Sequence, residues 1–207
     1  LPLSFGEYLG KLSREVVARH REVILNPADL DSLDRIEARF PNLSAPLEVE
    51  IGPGKDDFVV RAARERPGTN FLAIERIRER VDTLCTRIER ARLRNVRVFF
   101  GDVAAALARL LRPGQVAAFY VHFPDPWPKR RHGKHRLFQP AAAARLTECL
   151  VPGGLLNVVT DSLPYAEQAL ACLEATPGLG NRSGAGRMLT ELPGYHQSVY
   201  ERKRRAA

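Results

Sequence analysis

The chain has 207 residues, 44% of them hydrophobic, with a formal charge of +8 and a pI near 9.9, which suits one globular core and an anionic partner such as nucleic acid. Three cysteines, Cys85, Cys149 and Cys172, are too few and too widely spaced for a disulfide framework or a zinc site, so they read as reduced core thiols with no metal expected. No apolar run reaches the length of a membrane span and the first 25 residues lack an export signal's apolar segment, so the expectation is a cytoplasmic protein with no membrane partner.

Phe5, Tyr8, Leu9, Leu12, Val16 and Val17 recur at helical spacing, which predicts an amphipathic helix over 4–23. A turn-rich stretch follows, then a short helical pattern at Leu33, Ile36 and Phe40, which Pro41 and Asn42 end. From Leu47 the pattern alternates: strand 47–51, helix 55–66, strand 70–75, helix 76–93, strand 96–100, helix 103–111 and strand 116–123. A helix at about 140–150, a Pro152-Gly153-Gly154 turn, strand 155–160 and a helix at about 164–175 complete the series. Regular alternation of this kind predicts an α/β fold, a doubly wound and mostly parallel sheet with helices on both faces. The division drawn is an N-terminal helical extension, 1–44, and a main domain, 45–207. No internal repeat is visible, and the pattern leaves monomer and homodimer equally open.

Open parallel sheets bind ligands outside the carboxyl ends of their strands, and an acid stands at or near that end of every predicted strand. Glu50 precedes Gly52-Pro53-Gly54, a turn that lets backbone approach a nucleotide-like cofactor at a helix N-terminus. Asp57 occupies the place where a dinucleotide fingerprint has its third glycine, which argues against hydride transfer. Glu75 ends the second strand, where a carboxylate can receive ribose hydroxyls; Asp102 ends the third, Asp125 follows the fourth and Asp161 the fifth. For each acid taken singly, capping the following helix is as good a reading.

The central feature is Phe123-Pro124-Asp125-Pro126-Trp127-Pro128. Prolines on both sides of Asp125 predict a stiff, extended backbone that holds the carboxylate in place. Trp127 offers a flat face to a base, and residues 129–136 hold five Lys or Arg, two His and no acid. A proline-rich turn with a solvated basic loop is the competing reading of each feature alone.

These motifs, in this order and spacing, resemble the bacterial tRNA (guanine-N7-)-methyltransferases: Glu50-Ile-Gly-Pro-Gly, Asn70-Phe-Leu-Ala-Ile-Glu75, Gly101-Asp102, the run from Phe123 to His132, and Thr160-Asp161. The resemblance covers about residues 45–201, and the Pro-Asp-Pro-Trp-Pro-Lys run is its specific part. It implies a Rossmann-like methyltransferase sheet and methyl transfer from S-adenosylmethionine, without metal, to N7 of the guanosine at position 46 in the tRNA variable loop. It further implies that Glu50, Gly52, Gly54, Glu75, Asp102 and Asp125 bind cofactor, Asp125 being also catalytic. Lys129, Asp161, Ser198, Tyr200 and Glu201 fall at substrate positions, and Arg130, Arg131, His132, Lys134 and Arg136 at RNA-binding ones.

Three features depart from the family pattern. Asp56 stands where a glycine is usual, adding negative charge beside the cofactor loop; Ser198 and Val199 replace Thr and Glu; and the sequence given stops after Arg202-Lys203-Arg204-Arg205-Ala206-Ala207, where the family continues into a further strand. The alternatives are a methyltransferase acting on another substrate and a catalytically silent RNA-binding homologue. Guanine N7 carries an in-plane lone pair and no proton, so the chemistry needs alignment more than a strong base. Asp125 would orient the base and offset its developing charge, with Trp127 or Tyr200 stacking on it.

Overall fold

A computed structural model describes residues 14–25, 36–127 and 136–190. Among them, five strands form one all-parallel sheet: β1 Leu47–Ile51, β2 Asn70–Glu75, β3 Val96–Phe100, β4 Val116–His122 and β5 Leu150–Val159. Their order is β3-β2-β1-β4-β5. The chain therefore moves outward from β1 in one direction and returns to its other side with β4, which makes the β1/β4 junction the topological switch point.

The predicted double winding is present, and period-2 alternation explains it. Along β2, Leu72 and Ile74 join one buried cluster while Phe71 and Ala73 join the other. The helices divide accordingly. Helices α2 (Phe58–Glu65) and α3 (Arg78–Arg90) bury Val59, Ala62, Val81, Leu84 and Ile88 against one face. Helices α4 (Val103–Arg109), α5 (Pro140–Cys149) and α6 (Leu163–Glu174) bury Ala106, Leu107, Leu146 and Tyr165 against the other. Asn95 secures one crossover, donating through Nδ2 to the carbonyls of Ala63, Arg66 and Thr69 just before β2. Cys85 and Cys149 are buried free thiols and Cys172 is partly buried; burial raises the pKa of each.

The N-terminal stretch differs from the single helix expected over 4–23. Residues 4–13 lie outside the described residues, α1 spans Arg14–Arg19, and a turn over 20–23 leads to a bridge at Ile24. Val98 N–H donates to the Val23 carbonyl at 2.9 Å and Leu25 N–H to the Val98 carbonyl at 2.8 Å, so this segment lies on the outer edge of β3. Burial of Val23, Ile24 and Leu25 favours the edge over continued helix. His20, itself buried, fixes the geometry, with Nε2 3.0 Å from Asp82 Oδ1 and Nδ1 2.8 Å from Glu89 Oε1 on α3. Ile36–Arg39 form a single 3-10 turn, and Ile36 and Phe40 enter the same cluster as β1.

The last strand also starts earlier than expected, at Leu150 directly after α5. Val116 pairs with Leu150 and Ala118 with Leu155, so residues 151–154 bulge opposite Ala117 alone. The Pro152-Gly153-Gly154 turn is this bulge. A Cβ at residue 154 would lie 2.9 Å from the Val151 carbonyl oxygen and 3.2 Å from that of Ala117, which requires glycine there. Among the described residues no helix is long and apolar enough to cross a membrane.

Candidate active site

The carboxyl edge at the switch point is built from the loops after β1, β2 and β4. After β1 the chain turns through Gly52-Pro53-Gly54 with φ of 70° and 62° at the two glycines, left-handed values that an L side chain rarely adopts. Two hydrogen bonds tie this turn to β2: Gly52 N–H donates to the Ile74 carbonyl at 2.9 Å, and Gly54 N–H to Glu75 Oε2 at 3.0 Å. The other Glu75 oxygen accepts the N–H groups of Arg76 and Ile77 at 2.8 and 2.9 Å. The acid expected to receive ribose hydroxyls therefore also anchors the glycine turn. An ionised carboxylate offers about four lone-pair sites, so three backbone donors leave Glu75 capacity for a further one.

Glu50 has a different environment. It is buried, and its Oε2 has no hydrogen-bond partner among the described residues. Burial, with the Asp56 carboxylate adding to it, pushes its pKa from 4.5 up to about 8, against the pull of the Val59 N–H. A buried acid with one oxygen unpaired beneath a glycine turn suits a ligand bringing a hydrogen-bond donor or positive charge. The negative charge that Asp56 was expected to add is therefore felt at Glu50. Asp56 also accepts the Asp57 N–H at 2.8 Å, and Arg87 of α3 donates to the carbonyls of Lys55 and Asp56 at 3.1 and 3.0 Å.

Asp102 takes the capping role that was open to every acid here, accepting the Ala105 N–H at 2.8 Å at the start of α4. Asp161 follows β5 and is exposed.

Asp125 stands on the loop after β4, with its side chain 74% exposed and Oδ2 3.6 Å from Arg76 Nη2. That contact spans from the end of β2 to the end of β4 over β1. The extended backbone expected before each proline is not seen at Phe123 or Trp127. Both precede proline, and both are left-handed, with φ of 48° and 44°. Each such residue costs on the order of 1–3 kcal/mol and persists only where its surroundings enforce it. At Phe123 the N–H still donates to the Val159 carbonyl at 2.8 Å, so the ladder holds the residue while its φ turns the chain off the sheet. At Trp127 the carbonyl accepts from Arg136. Trp127 is half-buried.

The structure thus gathers Glu50, Gly52, Gly54, Glu75 and Asp125 on one edge, with Asp102 and Asp161 at the ends of the flanking strands. Lys129, Arg130, Arg131, His132, Lys134, Ser198, Tyr200 and Glu201 lie outside the described residues. Sequence reasoning missed Arg76 and Arg87; the position of Arg76, directly after a strand-end acid, was the available signal.

The family model described as "Putative methyltransferase" matches residues 44–206. The tRNA (guanine-N(7)-)-methyltransferase of Geobacter metallireducens is 37% identical over 179 residues, covering 86% of this chain and 84% of that protein. Those of Acidovorax sp. and Bordetella pertussis are 43% and 41% identical over 67% and 66% of this chain, and the chain spans only 55% and 54% of their lengths. A solved precorrin-6y C5,15-methyltransferase, also from Geobacter metallireducens, superimposes with a TM-score of 0.51 at 16% identity, over 63% of this chain and 62% of that one, and shares the fold.

Proposed function

The chain belongs to the tRNA (guanine-N7-)-methyltransferase family, and from that membership we propose that it transfers a methyl group from S-adenosylmethionine to N7 of a guanosine in tRNA, at position 46 of the variable loop. The observation that carries this reading is a buried Glu50, with Oε2 unpaired among the described residues, beneath a left-handed glycine turn after β1, and Asp125 on the loop after β4, the strand beside β1 at the switch point.

The residues fit S-adenosylmethionine. Glu50 presents through Oε2 an acceptor unpaired among the described residues, the glycine turn leaves open space where a Cβ at residue 52 would meet nothing within 4 Å, and Glu75 keeps capacity for a hydroxyl donor. In this reading Glu50, Gly52, Gly54, Glu75, Asp102 and Asp125 hold the group, which when bound supplies a methyl activated by its sulfonium. Asp125 is the catalytic residue. Its carboxylate lies exposed at the carboxyl edge of the sheet, where it orients the guanine edge and offsets the positive charge that grows on the base. It removes no proton, because N7 bears none. Lys129, Asp161, Ser198, Tyr200 and Glu201 complete the guanine side, and Arg130, Arg131, His132 and Lys134 meet tRNA phosphates. Residues 45–207 form the catalytic domain and 1–44 an extension of it, acting in the cytoplasm.

The experiment is transfer of labelled methyl groups to bulk unmodified tRNA, with nucleoside analysis of the product. Label in 7-methylguanosine is expected. Label in another nucleoside, or none in tRNA, would overturn the reading.

A further inference from the structure

Arg136 closes the basic run in sequence and by charge alone reads as one more phosphate contact. Its guanidinium instead faces the protein's own backbone. Nε donates to the Pro126 carbonyl at 2.8 Å and Nη2 to the Trp127 carbonyl at 3.3 Å. The guanidinium carbon lies 5.6 Å from the centre of the Tyr165 ring. Tyr165 is fully buried and meets Phe138 edge-on at 6.2 Å between ring centroids, so the platform under the guanidinium is part of the core. Burial pushes the Tyr165 hydroxyl up to about 12, and the Arg136 charge pulls against that shift.

The two carbonyls that Arg136 holds belong to the two residues immediately after Asp125. One of them, Trp127, is in a left-handed conformation that persists only where its surroundings enforce it. On the other side Phe123 is fixed by its bond to Val159. Among the described residues the ion pair of Asp125 is an exposed one with Arg76, so its place depends on how firmly the backbone on either side is held.

We infer that Arg136 is a positioning residue, whose two-donor fork, braced on Tyr165, fixes residues 125–127 so that Asp125 meets the substrate, and that it is not a phosphate ligand. The planar fork is essential, because a lysine ammonium in its place is a point charge that cannot serve both carbonyls with the same geometry. The kinetic part of this inference rests on the proposed reaction; the structural part does not.

Trp127 is the only tryptophan in the chain and reports directly on the clamp. Arg136→Lys keeps the charge and removes the fork, whereas Arg136→Gln removes both. Without substrate or cofactor, acrylamide quenching of Trp127 is expected to rise about twofold in both variants. In single-turnover methylation with saturating tRNA and S-adenosylmethionine, Arg136→Lys should fall about tenfold, the scale of one lost charge-assisted bond. Its tRNA affinity and the salt dependence of that affinity should match the parent. Unchanged quenching in both variants overturns the inference whatever the activity. Parental turnover in Arg136→Lys, beside weakened tRNA binding and a shallower salt slope in Arg136→Gln, also overturns it and makes Arg136 a phosphate contact. If the parent methylates no tRNA, the proposed function fails while quenching still decides the clamp; if Arg136→Gln does not fold, Arg136→Lys carries the test.

Discussion

Glu50→Gln separates what Glu50 does to stability from what it does in binding. The folded protein holds this acid protonated to a pKa of about 8, against 4.5 for an ordinary glutamate, chiefly because the group is buried and Asp56 is close. Between those two values the unfolded chain is ionised and the native protein is not. Stability therefore falls as pH rises through that window, is complete below it, and levels off above pH 8. One pKa unit corresponds to about 1.4 kcal/mol, so the penalty approaches about 3 kcal/mol at pH 7 as an upper figure. In a protein of this size that is a melting shift on the order of 6–12 °C. Gln cannot ionise, so the variant should melt higher than the parent at pH 8, converge with it near pH 5, and show a flatter profile between. Calorimetry at pH 8 should show the opposite for binding, because the variant lacks the carboxylate acceptor and holds S-adenosylmethionine more weakly. Parallel melting profiles for parent and variant from pH 5 to 9 would refute the reasoning, since no proton would then be linked to folding at this position.

Glu75→Ala removes the acceptor of the Gly54 N–H as well as a cofactor contact; S-adenosylmethionine binding should weaken about tenfold or more by calorimetry, and undiminished binding by a folded variant would displace the adenosine side of the site. Changing Arg130 and Arg131 together to Gln should lower tRNA affinity and reduce the slope of log affinity against log salt by about one to two, with cofactor affinity unaltered; an unchanged slope would return both to a solvated surface. Asp125→Asn should keep the fold, because the side chain is exposed and its ion pair with Arg76 is a surface contact, yet reduce single-turnover methylation about a hundredfold. A rate within about threefold of the parent would remove Asp125 from the chemistry.

The sequence by itself determined the strand and helix alternation, the double winding and the edge on which the acids gather. Those features depend on forces between near neighbours: the continuous apolar run Phe71–Ile74 suits a strand buried on both faces, and Gly52 and Gly54 mark the turn after β1 because their left-handed φ values suit glycine. Tertiary structure decided how these pieces are held. Pro152, Gly153 and Gly154 look like a turn in sequence, yet pairing with β4 absorbs them as a bulge. Phe123 and Trp127 are left-handed despite the prolines that follow, because Val159 and Arg136 supply partners 36 and 9 residues away. His20 finds Asp82 and Glu89 only once the N-terminal segment lies on β3. Glu50 is legible as a strand-end acid, but its raised pKa arises chiefly from burial in the folded sheet, with Asp56 on its own loop and, more weakly, Glu75 on β2 adding to it. A local pattern constrains backbone geometry within a few residues, whereas a hydrogen-bond partner, a desolvated charge or a bulge is set by which distant strands and helices pack together.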